Sequence, residues 1–146
     1  MGTSGPIARP RQARYLTVVG MKVRTRSDVP KVLRKVRRAN ITNLGHAGGT
    51  IRKVARHSIR RSPNPSAPGT PPHTRKGQLR RSVLYAVEKD KQSVVIGPDV
   101  RLVGTSAAAH EFGGRYRRER YPRRRFMGPA LEKTRAKLPR HWALCV

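Results

Sequence analysis

Two features of the chain could carry chemistry, and both lie in the stretch AAAHEFGGRYRRERYPRRRFMGPALE. The first is His110-Glu111, whose residue types suit a metal ligand or a general acid–base pair. The zinc-protease pattern of this kind needs a second histidine one helical turn later, and Gly114 stands there instead. We therefore predict that Glu111 has a structural role, as a salt-bridge anchor for Arg124 or Arg125.

The second feature is a run of arginines interleaved with two tyrosines, directly after the His-Glu pair. Arginine binds phosphates and aromatic rings stack on bases, so the pattern suits nucleic acid. Guanidinium groups also pair with carboxylates, so an acidic protein surface fits as well, and a solvated basic loop is the third possibility. We favour the acidic partner slightly over DNA. The candidate contact residues are Arg115, Tyr116, Arg117, Arg118, Arg120, Tyr121, Arg123, Arg124 and Arg125.

The rest of the chain offers no catalytic or cofactor-binding pattern. The other histidines are scattered, no serine lies in a G-x-S-x-G elbow, and the glycines of LGHAGGT match neither phosphate-binding spacing. Seven acidic residues leave little material for paired-carboxylate catalysis. The single cysteine, Cys145, excludes an intrachain disulfide and a cysteine-based zinc site. We predict a protein with no enzymatic activity, no metal and no cofactor.

Positive charge dominates the composition. The 146 residues include 34 Lys and Arg against 7 Asp and Glu, a formal net charge of +27. Such a chain repels itself and calls for a polyanionic partner, which can be nucleic acid, an acidic protein or anionic lipid. Lipid is disfavoured because no apolar run approaches the roughly 18 residues of a spanning helix. The N-terminus also lacks the hydrophobic core of a signal peptide, so we expect no membrane partner.

The elements that must position these residues begin with an arm and a long helix. Residues 1–27 read as a basic N-terminal arm with a possible strand over 15–25, and residues 28–146 as a single domain. From Asp28 to Ile59, apolar residues recur at three- and four-residue steps, which predicts an amphipathic helix. The glycines of LGHAGGT either break this helix or let another element approach closely, and we favour one long helix.

A proline-rich loop and a hairpin follow the long helix. Residues 62–77 contain five prolines and are predicted to form a loop or extended segment. Two strand-like runs, Leu79–Val87 and Ser93–Ile96, flank the polar turn EKDKQ. This arrangement predicts a β-hairpin.

Two further helices are predicted around the arginine run. Ser106–Glu111 suits a short helix that ends at Gly113-Gly114. The last helix is expected to start at Gly128-Pro129, with Pro129 as its first helical residue. Pro139 is expected to end or kink it.

The order of the motifs is more specific than any one of them. A long basic helix precedes PG-x-PP, G-x-L-x-x-S-V and a hairpin ending VVIGP, and then EFGG and RFMGPALE follow. Over about residues 28–140 this order resembles the gene-product-ten-like tail-component family of long-tailed double-stranded DNA phages, the small neck or tail-completion proteins that help join head to tail. The chain departs from that pattern in its N-terminal extension, its extreme charge and the arginine insert before Arg125. The matching positions are Pro68-Gly69, Pro71-Pro72, Gly77, Leu79, Ser82-Val83, Ile96-Gly97-Pro98, Ala109, Glu111-Phe112-Gly113, Arg125-Phe126-Met127 and Pro129-Ala130-Leu131.

The resemblance implies an α+β fold, in which a long N-terminal helix and a C-terminal helix pack on a small, mainly antiparallel sheet. It also implies a homo-oligomeric ring of six or twelve copies in the virion, assembled in the bacterial host cytoplasm. The ring would join the head connector to the tail-tube or tail-terminator proteins, with phage double-stranded DNA passing through its channel. The alternative is a free basic nucleic-acid-binding protein of ribosomal or architectural type, which would bind as a monomer with steep salt dependence.

A ring of this kind assigns roles to two further sets of residues. Contacts between subunits or rings are expected from the arm and the proline-rich loop, through Arg9, Arg11, Arg14, Pro68, Pro71 and Pro72. Structural anchors around the EFGG turn and the closing helix are Glu111, Phe112, Gly113, Phe126, Pro129 and Leu131. Of these anchors, Phe126 and Leu131 are expected to hold the C-terminal helix in the core.

Overall fold

A computed structural model describes residue 20 and residues 26–143 of the chain. The predictions for the basic arm, its strand over 15–25 and its arginines Arg9, Arg11 and Arg14 lie outside the described residues. The elements in chain order are α1 (Val29–Ser58), β1 (Arg60–Arg61), β2 (His73–Thr74), α2 (Gln78–Ser82), β3 (Val83–Glu88), β4 (Ser93–Pro98), α3 (Val100–Val103), α4 (Ser106–Phe112), β5 (Gly114–Tyr116), β6 (Glu119–Tyr121), α5 (Met127–Arg135) and a short 3-10 helix (Leu138–His141).

Helix α1 runs without a break through the glycine-rich segment, which confirms the prediction of one long helix. Asp28 precedes it and forms an ion pair with Lys31 at 2.9 Å. Pro30 lies in the first turn, where its missing N–H leaves no hydrogen bond unmade. The 30 residues make a rod of about 45 Å, since each residue adds about 1.5 Å. Residues 29–38 are exposed throughout, and the buried positions of the helix begin at Asn43.

The glycines of α1 let the β3–β4 hairpin lie directly against the helix. A Cβ atom at Gly48 would lie 2.7 Å from Cδ2 of Tyr85 and 2.8 Å from Cγ2 of Val94, which is closer than real carbon atoms approach. Tyr85 and Val94 share one face of the hairpin, because Tyr85 is opposite Ile96 and Val87 is opposite Val94. The segment LGHAGGT is therefore a site of close approach.

The notch at Gly48 leads to a prediction with an internal control. In most helices Gly→Ala gains up to about 1 kcal/mol. We expect Gly48→Ala instead to lower the free energy of unfolding by about 1–2 kcal/mol, because Tyr85 and Val94 must move to admit the methyl group. Gly45→Ala is the control, since the nearest atom to its added carbon is 4.0 Å away. Urea denaturation of both variants checks this, and equal stabilisation of both would contradict it.

The predicted hairpin is confirmed, but its first strand is shorter than expected. β3 and β4 are antiparallel, from Val83 opposite Pro98 to Glu88 opposite Ser93. The predicted strand start at Leu79 is wrong, because Gln78–Ser82 form the short helix α2. Leu79 and Val83 are four residues apart and both are buried, a spacing that fits a helical turn as well as a strand.

The core lies where α1, α2, α4 and α5 meet, and Phe126 is its largest fully buried side chain. The C-terminal helix was expected on the sheet, but its main neighbour is α1. It begins at Met127, two residues earlier than predicted, and Pro139 lies beyond it in the 3-10 helix. The core cluster comprises Ala55, Ile59, Leu79, Val83, Ala107, Phe126 and Ala130.

The strands form three separate two-stranded sheets within the described residues. The pairs β3–β4 and β5–β6 are antiparallel, and β1–β2 is parallel. The α+β class is confirmed, with a long N-terminal helix and small, mainly antiparallel sheets.

Candidate functional site

The carboxylate of Glu111 caps the start of helix α5. Its Oε2 accepts hydrogen bonds from the backbone nitrogens of Phe126 at 2.9 Å and Met127 at 3.0 Å. Its Oε1 accepts one from Gly128 at 3.0 Å. The first turn of a helix leaves such N–H groups without partners, and the helix dipole favours a negative charge beside them. Glu111 is thus a buried acid held by backbone donors.

The predicted salt bridge between Glu111 and Arg124 or Arg125 is therefore wrong. The Nε of Arg124 donates to the carbonyl of Ser66 at 2.8 Å, and its backbone nitrogen donates to the carbonyl of His110 at 2.7 Å. Arg125 is exposed. Glu111 binds the backbone nitrogens rather than an arginine because residues 126–128 return to the core beside its carboxylate. Binding them also requires no long arginine side chain to be ordered.

The other predicted anchors divide into two groups. Phe126 is 1% exposed and lies in the core, and Gly113 ends α4 with φ of +77°. Phe112 is 72% exposed and Leu131 is 45% exposed, so neither is a core anchor. Leu131 misses the core because α5 buries Ala130 and Thr134, and the next residue lies about 100° around a helix. Pro129 is half-buried.

Four residues of the arginine run stand out from the fold on a small hairpin, β5 and β6 with their two-residue turn, here called the arginine hairpin. Arg115 is opposite Arg120, and the turn consists of Arg117 and Arg118. All four side chains are exposed. Arg117 has a left-handed φ of +56°, and its guanidinium carbon lies 5.5 Å from the centre of the Tyr116 ring.

The two tyrosines of the arginine hairpin point back toward the protein. Tyr121 meets the His110 ring edge-on at 5.1 Å, and Tyr116 meets Tyr121 at 6.1 Å. Burial, followed by a hydrogen bond to Glu119, raises the pKa of Tyr121. The rings expected to stack on bases are half-buried and engaged with each other and with His110, which argues against base stacking in this conformation.

The remaining arginines of the run tie the proline-rich loop to helix α4. The carbonyl of Arg123 accepts a hydrogen bond from the backbone nitrogen of Gly69 at 2.9 Å, and its Nε donates to the carbonyl of Glu111 at 3.4 Å. Arg124 reaches Ser66 in the same loop. The run is therefore not one surface: four residues project, and two of the others bind the protein's own backbone.

The prolines predicted to contact neighbouring subunits also differ among themselves. Pro68 is exposed and Pro71 is half-buried. Pro72 is fully buried within its own subunit, so its predicted role in contacts with other subunits is wrong. It leads into β2, whose pairing with β1 draws this part of the loop onto the core.

A cavity of about 470 Å³ separates the proline-rich loop from the arginine hairpin. Ser66, His110, Tyr121 and Arg124 are among the residues that line it. The Oγ of Ser66 and the Nδ1 of His110 are buried, and neither has a hydrogen-bond partner among the described residues. Burial, and then the charge of Arg124, lower the pKa of His110.

The depressed pKa of His110 predicts a pH dependence of stability. Between the unfolded pKa of about 6.5 and the lower folded pKa, the unfolded chain binds more protons. Stability is therefore complete above pH 6.5 and decreases as the pH falls through the folded pKa. We expect Tm to fall more between pH 7.5 and pH 5 for the wild type than for His110→Gln. The same fall in both chains would assign the dependence to other groups.

The described residues show neither a metal centre nor a membrane span. No three His, Cys, Asp or Glu side chains in this part of the chain are grouped so that they could hold a metal ion. None of its helices combines the length and apolar character needed to cross a membrane. Comparison of the chain with protein-family models, curated proteins and solved structures gives no match.

Proposed function

We propose that the protein is a structural, non-enzymatic component of the head–tail junction of a long-tailed double-stranded DNA phage, and that copies of it assemble into a ring around the DNA channel. Two independent supports are the order of its motifs, which resembles that of the tail-completion family, and its distribution of apolar surface. The resemblance of the motifs is the basis for proposing a position at the head–tail junction. The exposed apolar surface is the basis for proposing that copies of the chain assemble.

The observation that carries the proposal is that more large apolar side chains are exposed than buried. Among the described residues, the buried set has five members besides alanine: Ile51, Ile59, Leu79, Val83 and Phe126. The exposed set has eleven: Val29, Val32, Leu33, Val36, Leu84, Tyr85, Val95, Val100, Leu102, Phe112 and Leu131. Exposed apolar surface of this extent marks a protein–protein interface. A single subunit leaves these side chains in water, so burying them requires contact with another protein chain.

The longest of these exposed faces is a stripe on the first turns of α1, called the α1 stripe. Val29, Val32, Leu33 and Val36 lie at steps of three, one and three residues, which places them on one side of the helix. Each is more than half exposed. A helix that extends beyond its own core with an apolar side suits packing against a neighbouring copy.

Two further apolar surfaces lie on other sides of the fold. The face of the β3–β4 hairpin opposite α1 exposes Leu84 and Val95. Phe112 lines an apolar groove of about 270 Å³ together with Val100 and Met127. Several separate apolar surfaces on one subunit allow one surface of a copy to contact a different surface of the next copy. Such head-to-tail contacts close into a ring when the rotation between copies allows it.

Electron microscopy and sedimentation of the purified full-length chain test the proposal. We expect closed rings, and we expect Val32→Gln/Val36→Gln to shift the protein to monomers while its circular dichroism stays unchanged. The control Arg34→Gln/Arg38→Gln puts the same side chain on the opposite face of α1 and should leave the rings intact. Monomers of the wild type that coat DNA without forming rings would overturn the proposal.

The second candidate is a free nucleic-acid-binding protein, favoured by the four exposed arginines of the arginine hairpin. It predicts that a monomer binds duplex DNA with a steep salt dependence. It also predicts that Arg118→Gln/Arg120→Gln weakens binding, whereas Val32→Gln/Val36→Gln does not. If Val32→Gln/Val36→Gln weakens DNA binding and Arg118→Gln/Arg120→Gln does not, the result favours the ring proposal, because binding then depends on assembly.

A further inference from the structure

A second basic surface is formed by residues outside the arginine hairpin, in a part of the chain that contains no acid. Residues 29–87 include 14 Lys and Arg and no Asp or Glu. Four separate pieces of this segment converge on a concavity of about 240 Å³, called the basic cleft. Its lining is Arg56, Arg61, Thr74, Lys76, Gly77, Arg80 and Arg81.

The five cations of the basic cleft come from different elements, so the fold brings them together against their mutual repulsion. Arg56 lies in the last turns of α1, Arg61 in β1, and Arg80 and Arg81 in α2, with Lys76 just before α2. The Nε of Arg61 donates to the carbonyl of Arg75 at 3.3 Å, which fixes its stem along the β1–β2 pair. No acidic side chain lines the cleft.

Most acids of the described residues are engaged elsewhere. Asp28 pairs with Lys31, Glu88 with Lys91, and Asp99 with Arg101. Glu111 caps α5, and Glu119 accepts from Tyr121. A cleft with five positive charges and no counter-charge raises the local concentration of anions.

We propose that the basic cleft binds the phosphate backbone of a nucleic acid. Two observations favour phosphates over an acidic protein. The lining contains no apolar side chain, whereas protein–protein interfaces have an apolar centre. Duplex DNA also carries about one charge per 1.7 Å, a density that matches five cations around one small concavity. No residue of the arginine hairpin lines the cleft, and the inference does not depend on ring formation.

The test measures binding of the full-length chain to a fluorescent 20-base-pair duplex over a series of salt concentrations. Lys76→Gln/Arg80→Gln removes two cleft charges from exposed side chains. We expect affinity near 0.1 M salt to fall at least about tenfold, and the slope of log K against log salt to decrease by about 2. The loss should be the same for duplexes of different sequence, because phosphates carry no sequence information.

A control variant removes the same charge from another place. Lys133→Gln/Arg135→Gln changes α5, and both side chains are exposed. A loss in the cleft variant no larger than in the α5 control would overturn the proposal, since it would reflect net charge alone. Unchanged circular dichroism and sedimentation of the cleft variant separate this result from misfolding or failed assembly.

A polyglutamate peptide as competitor decides between the two kinds of anion. If the cleft variant loses affinity for polyglutamate but keeps its affinity for DNA, the cleft binds an acidic protein and the proposal is wrong. Loss of DNA binding with little effect on polyglutamate supports it. Sedimentation reports ring formation, and the duplex-binding assay reports the cleft. The ring proposal and the cleft proposal can therefore fail independently, each in its own measurement.

Discussion

Phe126→Ala is expected to lower the free energy of unfolding by about 4 kcal/mol, the largest effect of any single change proposed for this protein. Phe126 is 1% exposed and lies in a cluster whose other members include Ala55, Ala107 and Ala130. Neighbours as small as alanine cannot extend into the vacated volume, so the cavity stays largely open. A loss of this size approaches the total stability of many small domains.

Thermal denaturation at one fixed protein concentration checks this prediction, because assembly makes Tm depend on concentration. A fall of roughly 15 °C is expected for Phe126→Ala, and a much smaller one for Phe126→Leu, which fills most of the volume. The control Leu131→Ala removes an apolar side chain that is 45% exposed and should cost far less in the monomer. Similar losses from Phe126→Ala and Leu131→Ala would show that α5 packs by a different face.

Glu111→Ala is expected to cost about 3 kcal/mol, the second largest effect. The change leaves the backbone N–H groups of Phe126, Met127 and Gly128 without an acceptor at a position shielded from water. Glu111→Gln should cost less, about 1–2 kcal/mol, because one carbonyl oxygen remains while the charge that favours the helix start is lost. Urea denaturation of both variants provides the measurement.

A matched pair of controls separates the capping role from a salt bridge. Glu132→Gln removes an exposed acid from the same helix and should change stability by less than about 0.5 kcal/mol. Arg125→Gln should be equally mild, because Arg125 is exposed and Glu111 is held by backbone nitrogens. If Arg125→Gln cost as much as Glu111→Gln, a charge pair would be the better account of Glu111.

The elements defined by strong local signals were predictable from sequence. The three- and four-residue spacing from Val29 to Ile59 fixes a helical period, and the glycines inside it are offset by packing against the hairpin. The polar turn EKDKQ between β-branched runs defines β3 and β4. Gly113 ends α4 because its φ of +77° is a conformation that glycine adopts without steric cost.

The errors fall where tertiary contacts decide between two local possibilities. Leu79 to Val83 fits a strand or a helical turn, and α2 forms because both residues can then face the core. Leu131 lies in the apolar first part of α5. Because α5 packs against α1, the buried side of α5 is the one that carries Ala130 and Thr134, and Leu131 lies on another side. Periodicity alone carries no information about which neighbour a helix meets.

The residue types of the candidate site were predictable from the sequence, but which of these residues lie together in the fold was not. The arginine run is evident in the sequence, yet nothing in its spacing separates the exposed Arg118 from Arg124, which binds Ser66 across 58 positions of the chain. The basic cleft was not predictable from the sequence for the same reason. Its cations stand between Arg56 and Arg81 in no local pattern, and only the fold brings them together. The absence of acids over residues 29–87 is the one signal that could have indicated it.

The bonds between His110-Glu111 and Arg124-Phe126 make the arginine hairpin an exchangeable module. They hold the two ends of residues 112–123 together whatever lies between them. Doubling the length of a flexible loop costs only about 0.6 kcal/mol once its ends are fixed. The turn at Arg117-Arg118 can therefore be lengthened or changed in charge while α4 and α5 stay in place. Changes in the length or charge of this turn therefore leave the cap of Glu111 on α5 intact.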